Sequence, residues 1–90
     1  MTPQALPAGD LVAVGLADLE RGRESLPALL VSIGAPRLAA LGVAPHRPFP
    51  DPERRLYELL VRDNPDSAHS RYNALVRRLV SFERALACAR

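Results

Sequence analysis

Proline and glycine are spread unevenly along this chain, and their placement limits what it can fold into more than any other feature. All nine prolines and all five glycines lie at or before Pro65, so the last 25 of the 90 residues contain neither. Proline removes a backbone donor and glycine leaves the backbone unrestricted, so both interrupt helices and strands. Up to Pro65 the chain can form only short elements. Beyond it, one long element is possible.

Residues 1–8, with Pro3 and Pro7, carry no period and read as a loose lead-in to a single domain over residues 9–90. Asp10 is placed to cap a helix over residues 10–21, in which Val12, Leu16 and Leu19 share a face. Gly22 is its stop, and Arg21 suits its carbonyl end. Gly15 lies on the apolar side, where a missing side chain permits close approach of a neighbour. Ser25 caps a second helix, 26–33, with Pro27 in its first turn. Leu26, Leu29, Leu30 and Ile33 give this helix an amphipathic spacing.

Gly34 ends the second helix, and Pro36 opens a short third one, 36–41, that stops at Gly42. Pro45, Pro48, Pro50 and Pro52 make residues 43–52 an extended connector. Asp51-Pro52-Glu53 then supplies a cap, a first-position proline and an acid in the first turn of a helix over 52–63. Leu56, Leu59 and Leu60 line its core face. Pro65 disfavours helical backbone at Asn64, which ends that helix; Asn64 then caps a last helix over 65–88. No segment alternates apolar and polar long enough for a strand, and leucine (15) and alanine (14) dominate the composition. The expected fold is all-α: a small single-domain bundle of four to five helices whose C-terminal helix is long.

Composition excludes several functional classes. An apolar fraction of 48% is enough to build a core and argues against a disordered chain. No apolar run approaches the ~20 residues that span a bilayer. The start, Met1-Thr2-Pro3-Gln4, has neither a basic nor an apolar leader region, so a soluble cytoplasmic domain is expected. The single cysteine, Cys88, allows no internal disulfide. His46, His69 and Cys88 have no mutual spacing of three or four, so neither a metal nor another cofactor is expected. His69 and Ser70 adjoin in a helix and diverge, and no Gly-x-Ser-x-Gly elbow occurs. Gly34 and Gly42 are isolated, which suits helix stops and not a phosphate-binding loop. No catalytic constellation is present.

The last helix carries the two patterns that do bear on function. The first is a seam: Ala68, Tyr72, Leu75, Leu79, Phe82, Leu86 and Ala89 follow each other at alternating steps of four and three. Tyr72, Leu75, Leu79, Phe82 and Leu86 are the expected interaction residues, packing on the chain's own helices or on a partner, and Val76 widens the stripe. In a parallel homodimer Arg78 would take a g position opposite Glu83 at the partner's following e position.

The second pattern is charge. All 12 basic residues are arginine. Residues 1–36 carry two arginines against four acids, residues 37–66 five of each, and residues 67–90 five arginines against Glu83 alone. Arg71 and Arg78 are one heptad apart, as are Arg77 and Arg84, so the last helix is a basic rod suited to phosphates or an acidic partner. With Ser70 and Asn73 beside them, and with helices 52–63 and 65–88 forming a helix–turn–helix-like pair, the rod also has the makings of a major-groove contact. A net charge of only +2 makes nucleic-acid binding weak. The expectation is a non-enzymatic interaction or assembly module acting through its C-terminal helix, with a second copy or another protein as partner. The alternative is a small DNA-binding regulator.

Overall fold

A computed structural model describes residues 6–89 and shows five helices and no strand among them. They are α1 (Gly9–Glu20), α2 (Leu26–Ile33), α3 (Ala35–Ala40), α4 (Pro52–Asp63) and α5 (Ala68–Ala89). The fold is all-α, as the spacing predicts. Residues 1–5 of the lead-in and Arg90 lie outside the described residues. The 22 residues of α5 make a rod about 33 Å long at ~1.5 Å per residue. The longest extent of the molecule is 38 Å.

The helix ends follow the sequence at the glycines and depart from it at the caps. Gly22 (φ 67°) and Gly42 (φ 91°) take the left-handed conformation just past α1 and α3. At α1, Arg23 N–H donates to Asp18 O and Gly22 N–H to Leu19 O; at α3, Val43 and Gly42 repeat the pattern on Leu38 and Ala39. These paired bonds satisfy carbonyls that a helix end otherwise leaves open. Ser25 Oγ accepts from Ala28 N–H at 3.2 Å, the expected cap of α2.

Asp10, in contrast, caps nothing: it sits inside the first turn of α1, and the residue before that helix is Ala8, at φ 61°. Asp51 holds the cap position of α4, but its carboxylate accepts from Arg54 Nε at 2.5 Å and from no backbone amide. The start of α5 also moves. Asn64 Oδ1 accepts from Asp66 N–H at 3.1 Å, which folds residues 64–67 into a turn and delays the helix from Pro65 to Ala68. An asparagine side chain bonded two residues ahead competes directly with the helical path.

The core centres on α2, which packs on each of the other four helices. Its amphipathic spacing is misleading. Ala28, Leu29, Leu30, Val31 and Ser32 are all buried, on and off the expected stripe, while Leu26 and Ile33 are only partly so. A helix apolar on all sides belongs inside a domain. Its one polar side chain is satisfied twice: Ser32 Oγ donates to Ala28 O at 2.8 Å and accepts from Phe49 N–H at 3.0 Å. The second bond pins the proline connector to the core, and Phe49 lies partly buried there. Arg55 covers its ring, with Cζ 5.5 Å from the centroid, and reaches Glu24 at 2.5 Å. Asp18, buried at the end of α1, accepts from Ser25 Oγ at 2.6 Å and so fastens α1 to the cap of α2.

Two glycines set how closely helices meet. A β-carbon on Gly15 would stand 2.4 Å from Pro27 O and 2.5 Å from a methyl of Val31, so α1 and α2 touch there as the sequence suggests. Gly34, expected only to stop α2, also lies beneath α5: a β-carbon there would stand 2.8 Å from Glu83 Oε2 and 3.1 Å from the Leu79 methyls. No helix among the described residues is long and apolar enough to cross a membrane.

Candidate interaction face on the last helix

The seam of α5 is turned inward. Leu79 and Phe82 are buried, and Tyr72, Leu75 and Leu86 are partly buried against the same core. Ala68 is buried at one end of the seam, whereas Ala89 at the other is exposed. Tyr72 meets Tyr57 of α4 edge to face, with ring centroids 5.8 Å apart at 68°. Burial, with the nearby charge of Glu53 adding to it, pushes the Tyr72 phenol above its ordinary value. A zipper between two copies would have to draw Leu79 and Phe82 out of this core.

Glu83, the other half of the parallel pairing, is also turned inward. It is partly buried, and its carboxylate stands over Gly34 at the α2–α3 junction. Burial pushes its pKa up, against an opposing pull from the Arg37 charge. A carboxyl whose folded pKa exceeds its unfolded value binds protons more readily in the fold, so this group stabilises the domain as pH falls through that value. Above it, the ionised form costs stability. Glu83→Gln is therefore expected to raise the melting temperature at neutral pH. Its advantage should vanish below about pH 4, where the wild-type carboxyl is protonated in both states. Thermal melts at the two pH values check this.

The outer face of α5 has the opposite character. Ser70, Asn73, Ala74, Arg77, Arg78, Ser81 and Arg84 are all exposed along it. Arg71 is partly withdrawn: it pairs with Asp63 at 2.6 Å across the α4–α5 turn. Arg77, Arg78 and Arg84 form no ion pair with any described residue. Of the four arginines that the sequence singles out, three are thus exposed and without an ion-pair partner among the described residues, on a helix whose inner side is locked in place.

The remaining candidates are scattered. His69 Nε2 lies 3.2 Å from Asn73 Nδ2, and Ser70 Oγ donates to Ser67 O at 3.1 Å, so the two neighbours do engage different partners. His46 is exposed in the connector, and Cys88 is an exposed free thiol on α5. Among the described residues no three His, Cys, Asp or Glu side chains are grouped to hold a metal ion. One feature escapes sequence periodicity. Pro7 and Ala8 come alongside α5 and, with Ala74, Arg77, Arg78 and Ser81, line a groove of about 320 Å³. Comparison with protein-family models, with curated proteins and with solved structures finds no match to the chain.

Proposed function

We propose that this chain is a cytoplasmic, non-enzymatic interaction module that meets an acidic protein partner through the outer face of α5. The observation that carries the reading is the trio Arg77, Arg78 and Arg84, exposed and without ion-pair partners among the described residues. A helix anchored in a core loses little backbone freedom on binding, which favours recognition. Arginine also suits bidentate contact with carboxylates. Self-association through the seam is the less favoured form of the same idea, since Leu79 and Phe82 have almost no surface left to bury. The exposed thiol of Cys88 suits a reducing compartment.

The test is size-exclusion chromatography with light scattering, alone and with an acidic polypeptide. The expected result is a monomer at high micromolar concentration that forms a complex with the acidic chain. Arg77→Glu with Arg84→Glu should abolish that complex and leave the far-UV spectrum unchanged. A dimer insensitive to that double reversal would refute the proposal.

The same arginines, with Ser70 and Asn73 beside them, support DNA binding as the second reading. With Arg71 tied to Asp63, three arginines remain for phosphate. The log-affinity against log-salt slope should then be no steeper than about −2.7, at ~0.9 per phosphate. Filter binding across a salt series measures it. Sequence-specific binding that persists at 200 mM salt would instead promote the DNA reading.

A further inference from the structure

The groove between α5 and the residues leading into α1 has a composition that identifies its occupant more closely. Ala74 and Ser81 are two turns apart, about 10.5 Å along the helix axis, and form a low floor. Arg77 and Arg78 fall between them and diverge by about 100° around the axis, so they border this floor on two sides. Pro7 and Ala8 make the facing wall. The aliphatic stems of arginines cover apolar surface while their guanidinium heads stay in water, so the groove is apolar at its base and cationic at its rim. Neither arginine has an acidic partner among the described residues.

We infer that this groove docks an acidic amphipathic helix of a partner protein, one apolar side chain seated between Ala74 and Ser81 and flanking carboxylates on Arg77 and Arg78. The inference rests on the proposed use of the outer face of α5 and adds where on it the partner sits and what chemistry it brings. Nucleic acid fits the groove less well. Duplex DNA presents one charge per about 1.7 Å and no apolar side chain, whereas this groove offers two cations around an apolar base. An acidic helix also matches the spacing of Arg77 and Arg84, because its own heptad repeat places carboxylates about 10.5 Å apart.

The experiment uses the whole chain and a fluorescein-labelled peptide of about three heptads, with leucine along one face and glutamate on both flanks. Poly-glutamate and a short DNA duplex are the comparison probes. Two variants separate shape from charge: Ala74→Gln fills the floor and keeps both arginines, and Arg77→Glu with Arg78→Glu reverses the rim. All three positions are exposed, and a thermal melt confirms that each variant is folded. The expected result is saturable binding of the Leu–Glu peptide, weakened roughly tenfold or more by either variant: the double reversal removes charge-assisted contacts, and Ala74→Gln displaces the seated apolar side chain. Poly-glutamate should bind more weakly and ignore Ala74→Gln.

Unchanged peptide affinity in Ala74→Gln, with loss in the double reversal, overturns the groove and leaves the basic face of α5 standing. Poly-glutamate binding as tightly as the Leu–Glu peptide does the same. Displacement of the peptide by DNA at lower concentration than by unlabelled peptide overturns the groove in favour of nucleic acid. Absence of binding by every probe overturns both the groove and the proposed function.

Discussion

Phe82→Ala should lower stability by about 3–5 kcal/mol, the usual cost of removing a fully enclosed phenylalanine. Phe82 is 0% exposed and is the largest of the fully buried side chains. For a domain of this size each kcal/mol moves the melting temperature by roughly 4–8 °C, so a fall of roughly 12–40 °C is expected. A chain of 90 residues, at ~0.05–0.15 kcal/mol per residue, has only about 5–13 kcal/mol to lose. Far-UV melts at two protein concentrations add a second piece of information. A core confined to one chain melts independently of concentration, whereas a seam shared between copies would shift its midpoint by mass action. A concentration-dependent midpoint would show that association between copies stabilises the fold.

Gly15→Ala and Gly34→Ala should part ways, with the first much the more damaging. Both gain up to about 1 kcal/mol from replacing glycine where the backbone is helical or nearly so. At Gly15 the new methyl meets the carbonyl oxygen of Pro27 and a methyl of Val31, and a backbone atom cannot turn aside. Helices α1 and α2 would have to separate, and overpacking of that kind costs about 1–3 kcal/mol or more. A net loss near 2 kcal/mol, roughly 8–16 °C, follows. At Gly34 the Glu83 carboxylate is the end of a flexible side chain that can rotate away, and the buried Leu79 methyls, at 3.1 Å, need give by only a few tenths of an ångström, so the net change should be under about 1 kcal/mol. Equal melting temperatures for the two variants would contradict the tight α1–α2 contact.

What the sequence reveals and what it hides divide along physical lines. Several local signals agree with the structure: the left-handed glycines at 22 and 42 and the Ser25 cap are each fixed by the few residues around them, whereas the caps expected at Asp10 and Asp51 do not form. Competition between local signals is not legible in the same way. Asn64 could cap a helix or close a turn, and only the bond from Asp66 N–H decides for the turn. At α2 the leucine spacing suggested one buried face, but α4 and α5 arrive from later in the chain and cover the rest.

The same limit applies to the candidate face. Heptad spacing places Arg77 and Arg84 on one line, and the structure exposes both. Nothing in that spacing shows that Arg71 is spent on Asp63, or that Pro7 and Ala8 wall a groove beside residues almost seventy positions away. Glu83 is a comparable case. Its heptad position suits an exposed rim charge, yet the bare backbone at Gly34 gives its carboxylate a place to turn inward.

The central position of α2 has a consequence for how the molecule is made. This helix precedes the proline connector, but two of the helices that cover it, α4 and α5, follow that connector. At ~5–20 residues per second, synthesis leaves α2 without them for several seconds. In that interval Leu29, Leu30 and Val31 have α1 on one side and water or a chaperone on the other. Protection from protease should therefore appear all at once, when α5 clears the ribosome, and a chain cut at residue 50 should be digested throughout.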